Sequence, residues 1–243
     1  MINIPKSILT EIQKIKGCQA IMLTGSRTVG KASKNADWDF FVILKDGVPR
    51  WRKTWKIDGE WVEVFCNDQK QIKKEFQEDL QEGRGVTTFM FVSGEIVHDS
   101  KGKILGRLVK QAKQNWQKGP KSLTKLGLAW KDYDMATYIQ DIEDCLHDNN
   151  PALLLINYAV NEFVNNFYRF SNIWFPRPKD RLNDLSKRNS ALYQLVQRFN
   201  KIIDWREKAR KAILIGKFVG EQAELKLTGE LYIPPTNKKS FHT

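Results

Sequence analysis

Two acids at the mouth of an apolar run, Asp37 and Asp39 in Asp37-Trp38-Asp39-Phe40, constrain this chain more than any other feature. The run they open, Trp38-Asp39-Phe40-Phe41-Val42-Ile43-Leu44, reads as a buried strand. Side chains alternate along a strand, so Asp37 and Asp39 share one face while Trp38, Phe40 and Val42 share the other. Two carboxylates side by side repel each other unless a cation lies between them. A hard divalent ion meets that need, and magnesium is usual where phosphates also ligate. Just upstream a second apolar run, Ala20-Ile21-Met22-Leu23, leads into Thr24-Gly25-Ser26-Arg27. Gly25 lets the backbone turn sharply and approach a ligand closely. Ser26 reads as the start of a short helix, whose first N–H groups would welcome an anion. The chain thus offers a phosphate cradle beside a metal clamp.

A third acid should complete the clamp. Trp51–Ile57 and Glu60–Phe65 flank Asp58-Gly59, a strong signal for a two-residue hairpin. In the second arm Trp61, Glu63 and Phe65 face one way, and Glu60, Val62 and Val64 the other. Glu63 lies inside an apolar strand, where a lone charge is costly and a shared metal would remove the cost. Glu60, at the turn, reads as a solvated residue.

The order Gly25-Ser26, a loop, Asp37-x-Asp39 in a strand, then Glu63 in a later strand resembles the DNA polymerase β-like nucleotidyltransferase superfamily. A short catalytic domain followed by helices looks closest to the bacterial aminoglycoside-type members. The resemblance implies a magnesium-dependent transfer of a nucleoside monophosphate, AMP from ATP being the expected case. The acceptor would be a hydroxyl of a small molecule, and pyrophosphate would leave. It implies that Gly25 and Ser26, with Arg27 assisting, hold the triphosphate. Asp37, Asp39 and Glu63 would bind two magnesium ions, and Glu63 would align or deprotonate the attacking hydroxyl.

The expected fold is α+β. A small mixed sheet with flanking helices fills residues 1–119, and an α-helical bundle fills residues 120–243, divided at Gly119-Pro120. Helical spacing predicts Ser7–Lys16, with Ser7 as a cap, and Asp68–Glu82 behind an Asp68 cap. Val86–Val92 reads as a further strand, Ile96–Asp99 as a short extended piece and Lys101–Trp116 as a helix. Beyond the boundary, helices are predicted over Leu123–His147 and Ala152–Phe170, with Pro151 at a first helical position. Further helix is predicted over Asp180–Leu185 and Ser190–Phe218, with a possible break near Arg198–Asp204. Leu231–Pro235 reads as extended and Lys238–Thr243 as frayed.

Net charge of +12 favours anionic partners and counts mildly against a polycationic substrate. Cys18, Cys66 and Cys145 are odd in number and form no CxxC, which suits reduced thiols in a cytoplasm. No run is long enough to span a bilayer, so no membrane partner is expected. In the helical half, Asp134, Asp141, Asp144 and Asp148 fall near one stripe with Tyr138, and Glu162 sits in an apolar helix. Asp141, Asp144 or Glu162 could take part at an acceptor, although a solvated acidic face explains the stripe more simply. His98, His147 and His242 have no metal-ligand spacing. Two other functions stay open. One is an antitoxin-like enzyme that binds or adenylylates a partner protein. The other is an RNA-directed transferase, motivated by the alternating bases and aromatics of Arg50–Lys56. A nucleotide binder without catalysis is disfavoured by the presence of all three acids.

Overall fold

The structure, a computed structural model, describes residues 2–233. The chain divides between Lys121 and Ser122 into two compact units. The first unit begins with helix α1 (Lys6–Gln13) and strands β1 (Cys18–Thr24) and β2 (Trp38–Leu44). The hairpin β3 (Trp51–Ile57) and β4 (Glu60–Asn67) comes next. Helices α2 (Gln69–Glu82) and α3 (Val86–Ser93), strand β5 (Glu95–His98) and helix α4 (Ile104–Lys118) complete it.

The strands form one mixed sheet in the order β3-β4-β2-β1-β5. Neighbours pair antiparallel except β2 and β4, which run parallel. Asp58 and Gly59 both adopt positive φ, at 50° and 86°. Those values give the mirror-image turn whose twist matches a hairpin.

Alternation divides the side chains of the sheet between two cores. Ile21, Leu23, Phe40, Val42, Val62 and Val64 pack with Ile8 and Ile12 of α1. On the opposite face Ala20, Met22, Phe41 and Ile43 pack with Ile72 and Phe76 of α2, Phe91 of α3, and Leu105 and Leu108 of α4. By the same alternation Asp39 and Glu63 belong to this second face, where they are half-buried.

Local chemistry overrides the sequence expectation at several points. Val86–Val92 is helical, not a strand, despite its β-branched and aromatic content. The buried carboxylate of Asp79, on α2, accepts N–H bonds from Val86 at 3.0 Å and Thr88 at 2.6 Å. Gly85 before them is left-handed, with φ 58°. A cap borrowed from the preceding helix thus satisfies the first N–H groups of α3. Asp68 caps α2 as expected, accepting from Gln71 N at 2.8 Å. Ser7 does not cap α1: it lies inside the helix, which has Pro5 at the N-cap position and no side-chain cap.

The second unit is helical. It contains α5 (Lys125–His147), α6 (Leu153–Phe170), α7 (Arg181–Arg188), α8 (Ser190–Lys201) and α9 (Trp205–Gln222). Met135, Ile142, Ile156, Phe163, Phe167, Leu192, Phe199 and Ile215 share its core. On α9 a Cβ at Gly216 would lie 2.8 Å from the Phe163 ring of α6, so glycine permits the close approach of these helices. Thr124 caps α5, accepting from Gly127 N at 3.0 Å. Pro151 stands outside α6, whose N-cap is Ala152. The break between α8 and α9 spans Ile202–Asp204, the end of the predicted window. Of the expected extended run, Pro234 and Pro235 lie outside the described residues, as does all of Lys238–Thr243.

Replacing Asp79 by alanine removes the acceptor for two N–H groups at a buried helix start. The variant should lose about 1–3 kcal/mol of stability. Its denaturant midpoint, compared with wild type, measures the loss.

Candidate active site

β1 ends at Thr24, and residues 25–30 form a turn. The predicted short helix at Ser26 does not form. Lys31 N donates to Ser26 O at 3.0 Å, Gly30 N to Arg27 O at 3.4 Å, and Thr28 Oγ1 to Gly25 O at 3.0 Å. The segment therefore closes on itself as a loop, and its anion-binding capacity rests on turn geometry, not on a helix end. Gly25 has φ +81°, and a Cβ there would lie 1.9 Å from Asp39 Oδ2. Only glycine fits, because both the conformation and the space forbid a side chain.

Strand pairing lines up one row across four strands. Thr24 pairs with Asp39, Asp39 with Glu63, and Glu63 with Thr54. Asp37 stands two residues before Asp39, just ahead of β2, and belongs to the same side. Asp37, Asp39 and Glu63 each place a carboxylate oxygen within 4.8 Å of the others. Among the described residues no other group of three or more His, Cys, Asp or Glu side chains converges in this way.

Burial and crowding act on Asp39: its pKa is pushed up to about 6, first by burial and then by the charges of Asp37 and Glu63. Arg52 and Arg27 pull the other way. A bound cation would reverse the sign of the local field and favour all three anions. The donor set is all hard oxygen, which suits magnesium or manganese better than softer metals. The residues present therefore fit the divalent ion that the resemblance implied.

Glu63 is anchored as well as charged. Its Oε1 accepts from Arg52 Nε at 2.6 Å and from Thr54 Oγ1 at 3.1 Å, and Arg52 Nη2 lies 2.5 Å away. All these contacts use Oε1, which leaves the other oxygen to meet an ion. In the sequence Arg52 and Thr54 stand out only as members of the Arg50–Lys56 run, not as partners of Glu63. A signal was there: once the turn at Asp58-Gly59 fixes the hairpin register, Thr54 must face Glu63.

Arg27 serves the loop. Its Nε donates to Asp37 O at 3.0 Å and its Nη2 to Ala36 O at 2.5 Å. The guanidinium lies 4.0 Å above the Trp38 ring. The side chain thus fixes the backbone that presents Asp37. Glu60 is not merely solvated. It accepts from Trp38 Nε1 at 3.3 Å and lies 3.6 Å from Arg27. In the second unit Asp141 and Asp144 are exposed on α5. Glu162 accepts from Asn165 at 2.8 Å and from Asn161 at 3.4 Å. His147 pairs with its neighbour Asp148.

Residues 5–113 match the family described as the nucleotidyltransferase domain. The fold is similar to that of a nucleotidyltransferase-like protein from Exiguobacterium sibiricum 255-15. The TM-score is 0.55 at 12% identity, over 89% of this chain and 73% of that one. No curated protein gives a significant match. All the acids of the triad and Gly25 fall inside the matched span.

Asp39 has a pKa near 3.8 unfolded and about 6 folded, so between those values the folded state holds a proton that the unfolded state has lost. Stability of the metal-free protein should therefore fall as pH rises through that window. Added magnesium or manganese should then raise the melting temperature more at neutral pH than at about pH 5. Asp39→Asn should flatten both trends, as thermal unfolding at several pH values can show. Gly25→Ala should displace Asp39 and remove the divalent-ion stabilisation, read by the same titration, while the far-UV spectrum stays that of the wild type.

Proposed function

We propose that this protein, whose residues 5–113 match the nucleotidyltransferase domain, moves a nucleoside monophosphate from a nucleoside triphosphate to an acceptor hydroxyl. The observation that carries the reading is the convergence of Asp37, Asp39 and Glu63 beside the Gly25 turn. ATP is the proposed donor. Magnesium is the proposed cofactor, as two ions in the presence of the triphosphate. Bound at the triad, they would neutralise phosphate charge and acidify the acceptor hydroxyl.

The chain's own contributions follow from position. The triphosphate would lie against the Gly25 turn, with Gly25 and Ser26 holding its phosphates. Arg27 acts mainly by holding the Asp37 loop, and its charge also favours phosphate. Asp37 and Asp39 sit between donor and acceptor as ion ligands. Glu63, fixed by Arg52 and Thr54, orients the acceptor oxygen and receives its proton. The acceptor oxygen forms a bond to the α-phosphorus, the bond from that phosphorus to the bridging oxygen breaks, and pyrophosphate leaves.

Residues 1–119 are proposed as the catalytic domain and residues 120–243 as a helical domain for acceptor binding or interaction. A cytoplasmic location fits the three free cysteines. Among the described residues no helix is long and apolar enough to cross a membrane.

Asp39→Ala should abolish transfer of label from α-labelled ATP while the protein stays folded. The loss should be at least about 1000-fold if the acid supplies several kcal/mol to the transition state. Transfer near the wild-type rate would remove Asp39 from the mechanism.

A further inference from the structure

Strand β3 is the edge of the sheet, and most of its residues are exposed on both faces. The hairpin register puts Lys56 beside Trp61, Thr54 beside Glu63, and Arg52 beside Phe65 on the face of the acid triad. Arg50 has the same parity, and it lies 3.8 Å from Glu75 of α2, the helix that packs on that face. Arg50, Arg52 and Lys56 therefore form a row past Glu63, about 20 Å long at roughly 3.4 Å per residue. Trp61 is 50% exposed at one end of the row, with Lys56 Nζ 4.9 Å above its ring. Arg52 lies 4.6 Å over the Phe65 ring and is itself 63% exposed.

Edge strands commonly carry lysines that discourage strand pairing, and this accounts for part of the charge. It does not account for a tryptophan left half in water beside a catalytic acid. Cations in a line, spaced along the backbone and ending at a half-exposed ring, match a single-stranded nucleic acid: phosphates for the cations and a base for the indole. They do not match a polycationic acceptor, which the row would repel.

We infer that the β3–β4 edge binds single-stranded nucleic acid. Arg50, Arg52 and Lys56 track its phosphates and Trp61 stacks a base, so that a terminal ribose hydroxyl reaches Glu63. The assignment of that hydroxyl as acceptor rests on the transfer reading above; binding to the ridge does not.

The test is anisotropy of a fluorescent single-stranded RNA with the full chain, over a range of salt concentrations. Wild type should bind at low salt and weaken steeply as salt rises. Trp61→Ala should weaken binding by about 5- to 100-fold, and Trp61→Phe should restore much of it, which a purely structural role would not predict. Lys56→Ala should lower the salt slope by about 0.7. Asp39→Asn should bind as wild type does while losing transfer. Absence of RNA binding at low salt, or binding that Trp61→Ala and Lys56→Ala leave unchanged, overturns the proposal. Transfer of label to a small alcohol with no RNA binding would sink the ridge and leave the transferase standing. RNA binding without transfer to any acceptor would do the reverse.

Discussion

The parallel pairing of β2 with β4 is the constraint on which this site depends. It sets Asp39 directly beside Glu63, on strands that the intervening hairpin arm separates in sequence. A slip of one residue would turn Glu63 toward the core of Val62, Val64 and Phe40 and bring an apolar side chain to the triad. Such a slip would bury a charge without a partner, at a cost of several kcal/mol. Register and site chemistry are therefore one choice. The apolar alternation that selects the fold also selects which oxygens meet.

The three acids are not equivalent. Asp39 is the most deeply committed: it lies against the Gly25 backbone and its pKa climbs to about 6. Glu63 has cationic support from Arg52 and a hydroxyl from Thr54. Asp37 sits on a loop that Arg27 holds through the Asp37 and Ala36 carbonyls. Repulsion is thus concentrated at the centre of the row and relieved at its rim. That is the arrangement expected of a cation site, where the central ligand gains most from the ion and the outer ligands keep their positions without it.

Much of this was legible in the residues. Asp37-x-Asp39 and Glu63 could be placed on one side because strand period and the Asp58-Gly59 turn are strong local signals. The Ser26 segment was misread because a Gly-Ser turn after a strand looks like a helix start, and only the bonds that close residues 25–31 distinguish the two. Val86–Val92 departs from its strand expectation for a different reason. Its side chains favour a strand, but its first N–H groups are satisfied by Asp79, whose role depends on how α2 and α3 pack. A tertiary cap of this kind leaves no trace in local propensity. Glu60 reads as merely solvated in the sequence because its partner Trp38 lies on another strand, across elements that sequence spacing does not connect.

Charge and edge position together bear on which acceptor the site would take. In the proposed transfer the second substrate comes to the Glu63 side of the triad, because the Gly25 turn packs against Asp39. On the Glu63 side lies β3, the edge of the sheet among the described residues. What approaches Glu63 from that edge meets Thr54, Arg52, Lys56 and Trp61 before it meets the acids. A cationic acceptor would cross a repulsive row to reach an attractive centre that bound divalent ions would neutralise. An anionic chain would find attraction at each step and would keep its own charge away from the triad by binding the row. The same cations would steer it in from solution, and the +12 net charge of the chain extends that field beyond the row.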